Sequence, residues 1–107
     1  MKKLILALTL GLVVPSMAYA DEEIDKDACT YKGIPLYGKV QIVDSFPDIK
    51  VQIVKSFPDI KVQKVTSFPD SCGKWQFVDS FPDFKIQIVE SFPDIKVEYV
   101  TSYPGTN

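Results

Sequence analysis

Between Val40 and Gly105 one eleven-residue phrase is written six times. It reads apolar, Gln, apolar, Val, any, Ser, Phe, Pro, Asp, Ile, Lys, with copies starting at Val40, Val51, Val62, Trp75, Ile86 and Val97. The steps between starts are 11, 11, 13, 11 and 11, so two triplets flank one two-residue insertion inside Ser71-Cys72-Gly73-Lys74. Any fold for this chain must use one small unit repeatedly and must find a reason for that insertion.

Each copy divides into a strand and a corner. In Ile49-Lys50-Val51-Gln52-Ile53 the apolar residues alternate with polar ones, the period of two that marks a strand with one buried face. The β-branched content agrees. Ser-Phe-Pro-Asp then ends the strand, because proline fixes φ, offers no N–H to a ladder and pushes the preceding residue away from helix. Asp after the proline accepts backbone N–H groups in a turn. The corners are Phe46-Pro47-Asp48, Phe57-Pro58-Asp59, Phe68-Pro69-Asp70, Phe81-Pro82-Asp83 and Phe92-Pro93-Asp94, with Tyr103-Pro104-Gly105 closing the sixth copy. The pattern predicts an all-β domain of six strand-corner units in a compact two-sheet arrangement. The corner rings are expected to fold back over the strand ends, where burial of each contributes about 1.5–3 kcal/mol. Val43, Val54, Val65, Val78, Val89 and Val100 fall out of the inward phase, and begin the corner or cover a second face.

The first twenty residues are written differently. Lys2 and Lys3 precede an apolar run from Leu4 to Val14, followed by Pro15, Ser16 and Ala18-Tyr19-Ala20. That is the anatomy of a secretory signal peptide over residues 1–20, cleaved after Ala20. Its apolar run is too short to span a bilayer, which takes about 20 residues. Residues 21–28 read as a flexible acidic arm, and residues 29–107 as the repeat domain. Loss of Lys2 and Lys3 leaves ten lysines against fourteen carboxylates, a net charge of −4, with neither Arg nor His. Such a chain has no electrostatic footprint for nucleic acid and no basic cluster to hold it to an anionic membrane.

Export also bears on Cys29 and Cys72, one ahead of the repeats and one in their only interruption. A disulfide between them would close a loop of about 43 residues and contribute roughly 4 kcal/mol in the loop-entropy treatment. The alternative is two free thiols. A metal site lacks the further Cys or His to complete it.

The run VQIVDSFPDIKVQIVKSFPDIKVQKVTSFPDSCGKWQFVDSFPDFKIQIVESFPDIKVEYV resembles the septoil-knot domain family. The likeness covers roughly residues 34–105 and rests on tandem Ser-Phe-Pro-Asp corners interrupted once by Cys-Gly-x-Trp. It implies a backbone like a seven-crossing torus knot, a rare outcome among folds. The two triplets offer a route, with residues 75–105 wound around residues 40–70 and Ser71 to Lys74 crossing between them. The alternative is a short unknotted β-solenoid, which has no use for the insertion. Two departures from the pattern stand out: the sixth copy loses Asp at Gly105, and Lys64 occupies an inward-phased position. The resemblance carries over no catalytic or binding residue.

Repetition argues against chemistry at the corners. A catalytic residue is unique, whereas Ser45, Ser56, Ser67, Ser80, Ser91 and Ser102 recur, and the chain has no imidazole to activate them. Asp48, Asp59, Asp70, Asp83 and Asp94 are read as turn caps rather than a calcium row, since each corner brings one carboxylate followed by Ile, Phe or, after Asp70, Ser. Lys50, Lys61, Lys85 and Lys96 alternate with Gln52, Gln63, Gln87 and Glu98 on the outward phase, a solvated sheet face or a flat face for a glycan or protein. Trp75 and Phe77 are expected in the core. The sequence therefore points to a monomeric, non-enzymatic, cofactor-free domain of the periplasm or exterior, a durable structural or binding module whose partner is an envelope protein or glycan. A secreted inhibitor or toxin-like effector is the alternative.

Overall fold

The inward residues of every repeat line one closed barrel. The computed structural model describes residues 23–106, so the signal-peptide reading of residues 1–20 lies outside the described residues. Three short strands come first: β1 (Ile24–Asp25), β2 (Thr30–Tyr31) and β3 (Ile34–Pro35) form a small antiparallel sheet. Six longer strands follow: β4 (Gly38–Ile42), β5 (Ile49–Ile53), β6 (Ile60–Lys64), β7 (Lys74–Phe77), β8 (Phe84–Ile88) and β9 (Ile95–Tyr99). These six pair in parallel around a closed barrel in the order β4-β7-β6-β9-β5-β8. The fold is all-β as expected, but the repeat strands do not stack as two sheets. Closure leaves the six repeat strands without an edge, which two small stacked sheets would leave open.

The barrel order alternates strictly between the triplets. Each of β4, β5 and β6 has only strands of the second triplet beside it, and the reverse holds. The register is as regular as the sequence. Val40 lies opposite Phe77, Trp75 opposite Lys64, Val62 opposite Tyr99, Val97 opposite Ile53, Val51 opposite Ile88 and Ile86 opposite Ile42. Every strand thus faces its neighbour two residues out of step with the repeat, always in the same sense. Six such steps of two give a shear of twelve, twice the strand number. From the ordinary strand spacings, that shear tilts the strands by about 54° on a cylinder of about 8 Å radius. Equivalent residues of all the strands then sit at one height.

The core is accordingly layered. The middle layer, Val40, Val51, Val62, Trp75, Ile86 and Val97, is wholly enclosed. The layer at the strand starts holds Ile49, Ile60, Phe84 and Ile95, with Gly38 and Gly73 in the first copy of each triplet. Trp75 makes up volume there, standing edge-on to Phe84 at 5.5 Å and donating its indole N–H to the Leu36 carbonyl at 3.0 Å. The third layer, at the strand ends, is open: Ile42, Ile53 and Ile88 are exposed, and Ile53 does not join the buried set its alternation predicted. Lys64 is at home in this open layer, its ammonium 4.1 Å from the Tyr99 ring centre.

The small sheet closes the opposite end, placing Cys29, Tyr31 and Leu36 in the core. Glu23 to Ala28 consequently form no loose arm. Ile24 packs on the core, and the Asp25 carboxylate accepts the N–H groups of Asp27 and Ala28, so the acidic residues cap a turn. Cys29 and Cys72 are joined as a disulfide, Cα atoms 5.9 Å apart. It ties this cap to the interruption between the triplets.

Candidate interaction surface

Each corner is an arch across the outside of one strand. The corner from β4 to β5 straddles β8: Val43 N–H donates to the Ile86 carbonyl on one side and Asp48 N–H to the Lys85 carbonyl on the other. The out-of-phase valines therefore begin the corners. The corner from β5 to β6 straddles β9 through Val54 and Asp59 in the same way. Those of the second triplet straddle β4, β5 and β6. A regular corner thus moves the chain two places around the barrel, over a strand of the other triplet.

Two kinds of side-chain contact fasten the arches, and the arches over β4, β5 and β8 have both. At its far end the Asp carboxylate accepts the backbone N–H of the strand's Lys: Asp48 from Lys85, Asp59 from Lys96 and Asp83 from Lys39 at 2.8 Å, and Asp94 from Lys50 at 2.7 Å. The Asp residues are caps, as expected, but of a strand 37 or 44 residues distant rather than of their own turn. At the near end the strand's Gln amide donates to an arch carbonyl, Gln41 to Asp79, Gln52 to Glu90 and Gln87 to Asp44. The Lys/Gln face is therefore roofed by arches rather than flat and open. The recurrence of Gln at one position was the signal for this role.

The irregular copies have local reasons. Gly105 replaces Asp in the last corner, and its backbone N–H and C=O make both bonds to Lys61, at 2.9 and 2.8 Å. The corner from β6 crosses β7 and brings Pro69 and Asp70 beside Gly38 and Asp83, around a cleft of about 480 Å³ that Ile34 and Tyr37 also line. That barrel place is already occupied by β4. The two extra residues fold the chain back, with Lys74 N–H on the Ser71 carbonyl, so that it enters as β7, one place over instead of two. Among the described residues no backbone N–H meets the Asp70 carboxylate.

The corner aromatics overturn the sequence expectation. Phe46, Phe57, Phe81, Phe92 and Tyr103 are 91–92% exposed and Phe68 79%, so none covers the strand ends. Backbone geometry explains this. Proline disfavours right-handed helical φ/ψ for the residue before it, and an extended residue would not turn the arch. The left-handed well remains, and these residues adopt it with φ between 52° and 57°. That conformation costs a bulky residue about 1–3 kcal/mol, and it aims the ring outward. Ser45, Ser56, Ser67, Ser80, Ser91 and Ser102 lie exposed beside the rings. The result is a girdle of six outward rings around the barrel, which sequence reasoning missed.

Among titratable groups, burial raises the Tyr31 phenol above its ordinary range, reinforced by its hydrogen bond to Glu23 and by nearby Asp94. Burial also raises Tyr99. Both are held neutral as packing groups.

An uncharacterised protein of Synechocystis sp. (strain PCC 6803) is 63% identical over 30 residues, 28% of this chain and 27% of that protein. The chain thus spans well under two thirds of that relative's length. The 7(1) septoil knot domain matches residues 33–107, taking in every barrel strand and corner. This chain belongs to the 7(1) septoil knot domain family.

Proposed function

We propose that this is an exported, non-enzymatic domain of the cell envelope or exterior, built as a seven-crossing torus knot and selected for kinetic durability as a structural or binding module. The observation that carries the reading is the alternation of the path. The chain passes beneath an arch as β4, above β8 as a corner, beneath an arch as β5 and above β9 as the next corner. A path that alternates under and over cannot be drawn straight by loosening one loop. Unfolding then requires Asp–Lys and Gln–carbonyl fastenings on several strands to fail before an end can withdraw. Barriers of that kind appear as slow unfolding rather than as large equilibrium stability. Non-local pairing throughout also makes folding slow. The disulfide suits an oxidising compartment.

The test is unfolding in urea, and digestion by a broad protease, with the disulfide reduced so that the knot alone is measured. Durability predicts unfolding half-lives of hours or longer and intact protein after prolonged digestion. Fast reversible unfolding with early cleavage at the corners would overturn both the knot and the durability.

A further inference from the structure

We infer that the aromatic girdle binds a neutral polysaccharide, with sugar rings stacking on Phe46, Phe57, Phe81 and their counterparts one at a time. This rests on the binding-module reading and names its ligand class.

The rings are not there for the fold. They are almost fully exposed, and each is held at a φ that Gly or Asn would adopt with less strain. An exposed ring on unfavourable backbone, repeated at every corner, is a feature kept for what it meets.

Its surroundings narrow the partner. Each arch tip is Ser-Phe-Pro or, in the last copy, Ser-Tyr-Pro, three residues with no charge, and the chain as a whole is acidic and lacks Arg. Nucleic acid and anionic lipid have nothing to attract them. The layout narrows it further. Arches at sixty-degree steps outside a barrel of about 8 Å radius put neighbouring rings on the order of 15 Å apart. They are separate platforms rather than one apolar patch, whereas a stable protein interface or a second copy needs about 800 Å² of continuous surface on each side. The girdle also encircles the molecule, so a flat bilayer would touch only one or two rings. A flexible polymer can pass from ring to ring or enmesh the whole domain. The apolar C–H face of a pyranose stacks on an aromatic ring without any charge, and the corner serines offer hydroxyls beside it. Several weak stackings on one strand add through effective concentration.

The experiment is native electrophoresis of the purified, disulfide-intact protein in gels containing hydroxyethyl cellulose, laminarin, mannan or dextran. Variants replace one, three or all of the corner aromatics with Asn, which tolerates the left-handed conformation, and their unfolding is followed in urea to establish that they fold. The proposal expects retardation by at least one polymer. It expects affinity to fall about threefold per ring removed, and more than a hundredfold when all are gone. Mobility unchanged in every gel, or retardation that persists in the folded all-Asn variant, overturns it. So does ring-dependent binding to phosphatidylcholine vesicles, or ring-dependent dimerisation in sedimentation, in place of polymer binding. The durability of the unsubstituted protein is read separately in urea, so either reading can fail alone.

Discussion

Asp48 and Lys85 make two hydrogen bonds across a corner, the Asp48 N–H to the Lys85 carbonyl at 2.9 Å and the Lys85 N–H to the Asp48 carboxylate at 2.8 Å. The side chain supplies the second bond that a ladder neighbour would have made with its own carbonyl. Removing the carboxylate leaves the Lys85 N–H without its charged acceptor beneath an arch. Asp48→Ala should therefore lower stability by about 1.5–3 kcal/mol. Asp70→Ala, at the corner where the insertion has moved the strand away, should stay within about 0.5 kcal/mol. Urea midpoints of the two variants, in one buffer, check the contrast. Equal losses would mean that the corner Asp acts only within its own turn.

Glu98 stands where β4, β5 and β8 carry the Gln that fastens an arch. A carboxylate cannot donate to the Lys55 carbonyl overhead, as Gln52 donates to Glu90. Glu98→Gln should supply that bond and stabilise the protein by about 0.5–1.5 kcal/mol. Gln52→Glu should cost a similar amount. A higher urea midpoint for the first and a lower one for the second are expected.

These contacts mark how far the sequence could be read. Alternation at Ile49 and Val51, the enclosure of Trp75 and the all-β class were legible because they depend on neighbours in sequence. The acceptance of Lys85 by Asp48 was not, because the partner is chosen by the shear of the barrel. Ile53 has the same phase as Val51, yet only closure and stagger decide that its layer is the open one. Phe46 was misread for another reason. A large apolar ring is assumed buried, but the proline after it limits φ and the left-handed turn sends the ring outward.

Phe46 gives the direct test of that correction. Phe46→Asn removes an exposed ring and places a residue that tolerates φ near 55°. Stability should be unchanged or rise by up to about 1 kcal/mol. A buried corner ring would instead lose about 3–5 kcal/mol on truncation. Thermal or urea unfolding separates the two without ambiguity of sign.

Tyr31 adds a pH dependence. Its phenol is raised above the free value of 10.0 by burial first and by its bond to Glu23 second. The folded state thus holds this proton more tightly than the unfolded chain does. The contribution is complete below pH 10.0 and is lost as pH rises above it. Tyr99, also raised by burial, acts in the same direction. Stability should fall progressively as pH rises above about 10, and Tyr31→Phe should flatten part of that slope. An unchanged slope in the variant would assign the alkaline loss to other groups.

Gly38 and Gly73 occupy, in the first copy of each triplet, the place held elsewhere by Ile49, Ile60, Phe84 and Ile95. Both have positive φ, 124° and 83°, and both lie where an arch comes close. A Cβ on Gly73 would sit 2.5 Å from the Lys61 carbonyl oxygen and 2.8 Å from Gly105 N, backbone atoms of the final fastening. The atoms nearest a Cβ on Gly38 would all belong to the side chain of Asp83, whose carboxylate holds Lys39. The two substitutions should therefore differ in kind. Gly73→Ala forces backbone apart and should cost on the order of 3 kcal/mol, with nothing nearby able to swing aside. Gly38→Ala should cost about 1.5–3 kcal/mol by displacing Asp83 from Lys39. In an Asp83→Ala background the fastening is already gone and the obstructing atoms with it. Gly38→Ala should then cost distinctly less, retaining only its backbone strain, while Gly73→Ala should cost the same as before. A double-mutant cycle on urea midpoints reads the difference. Strict additivity for Gly38 and Asp83 would place the arch elsewhere than across the start of β4.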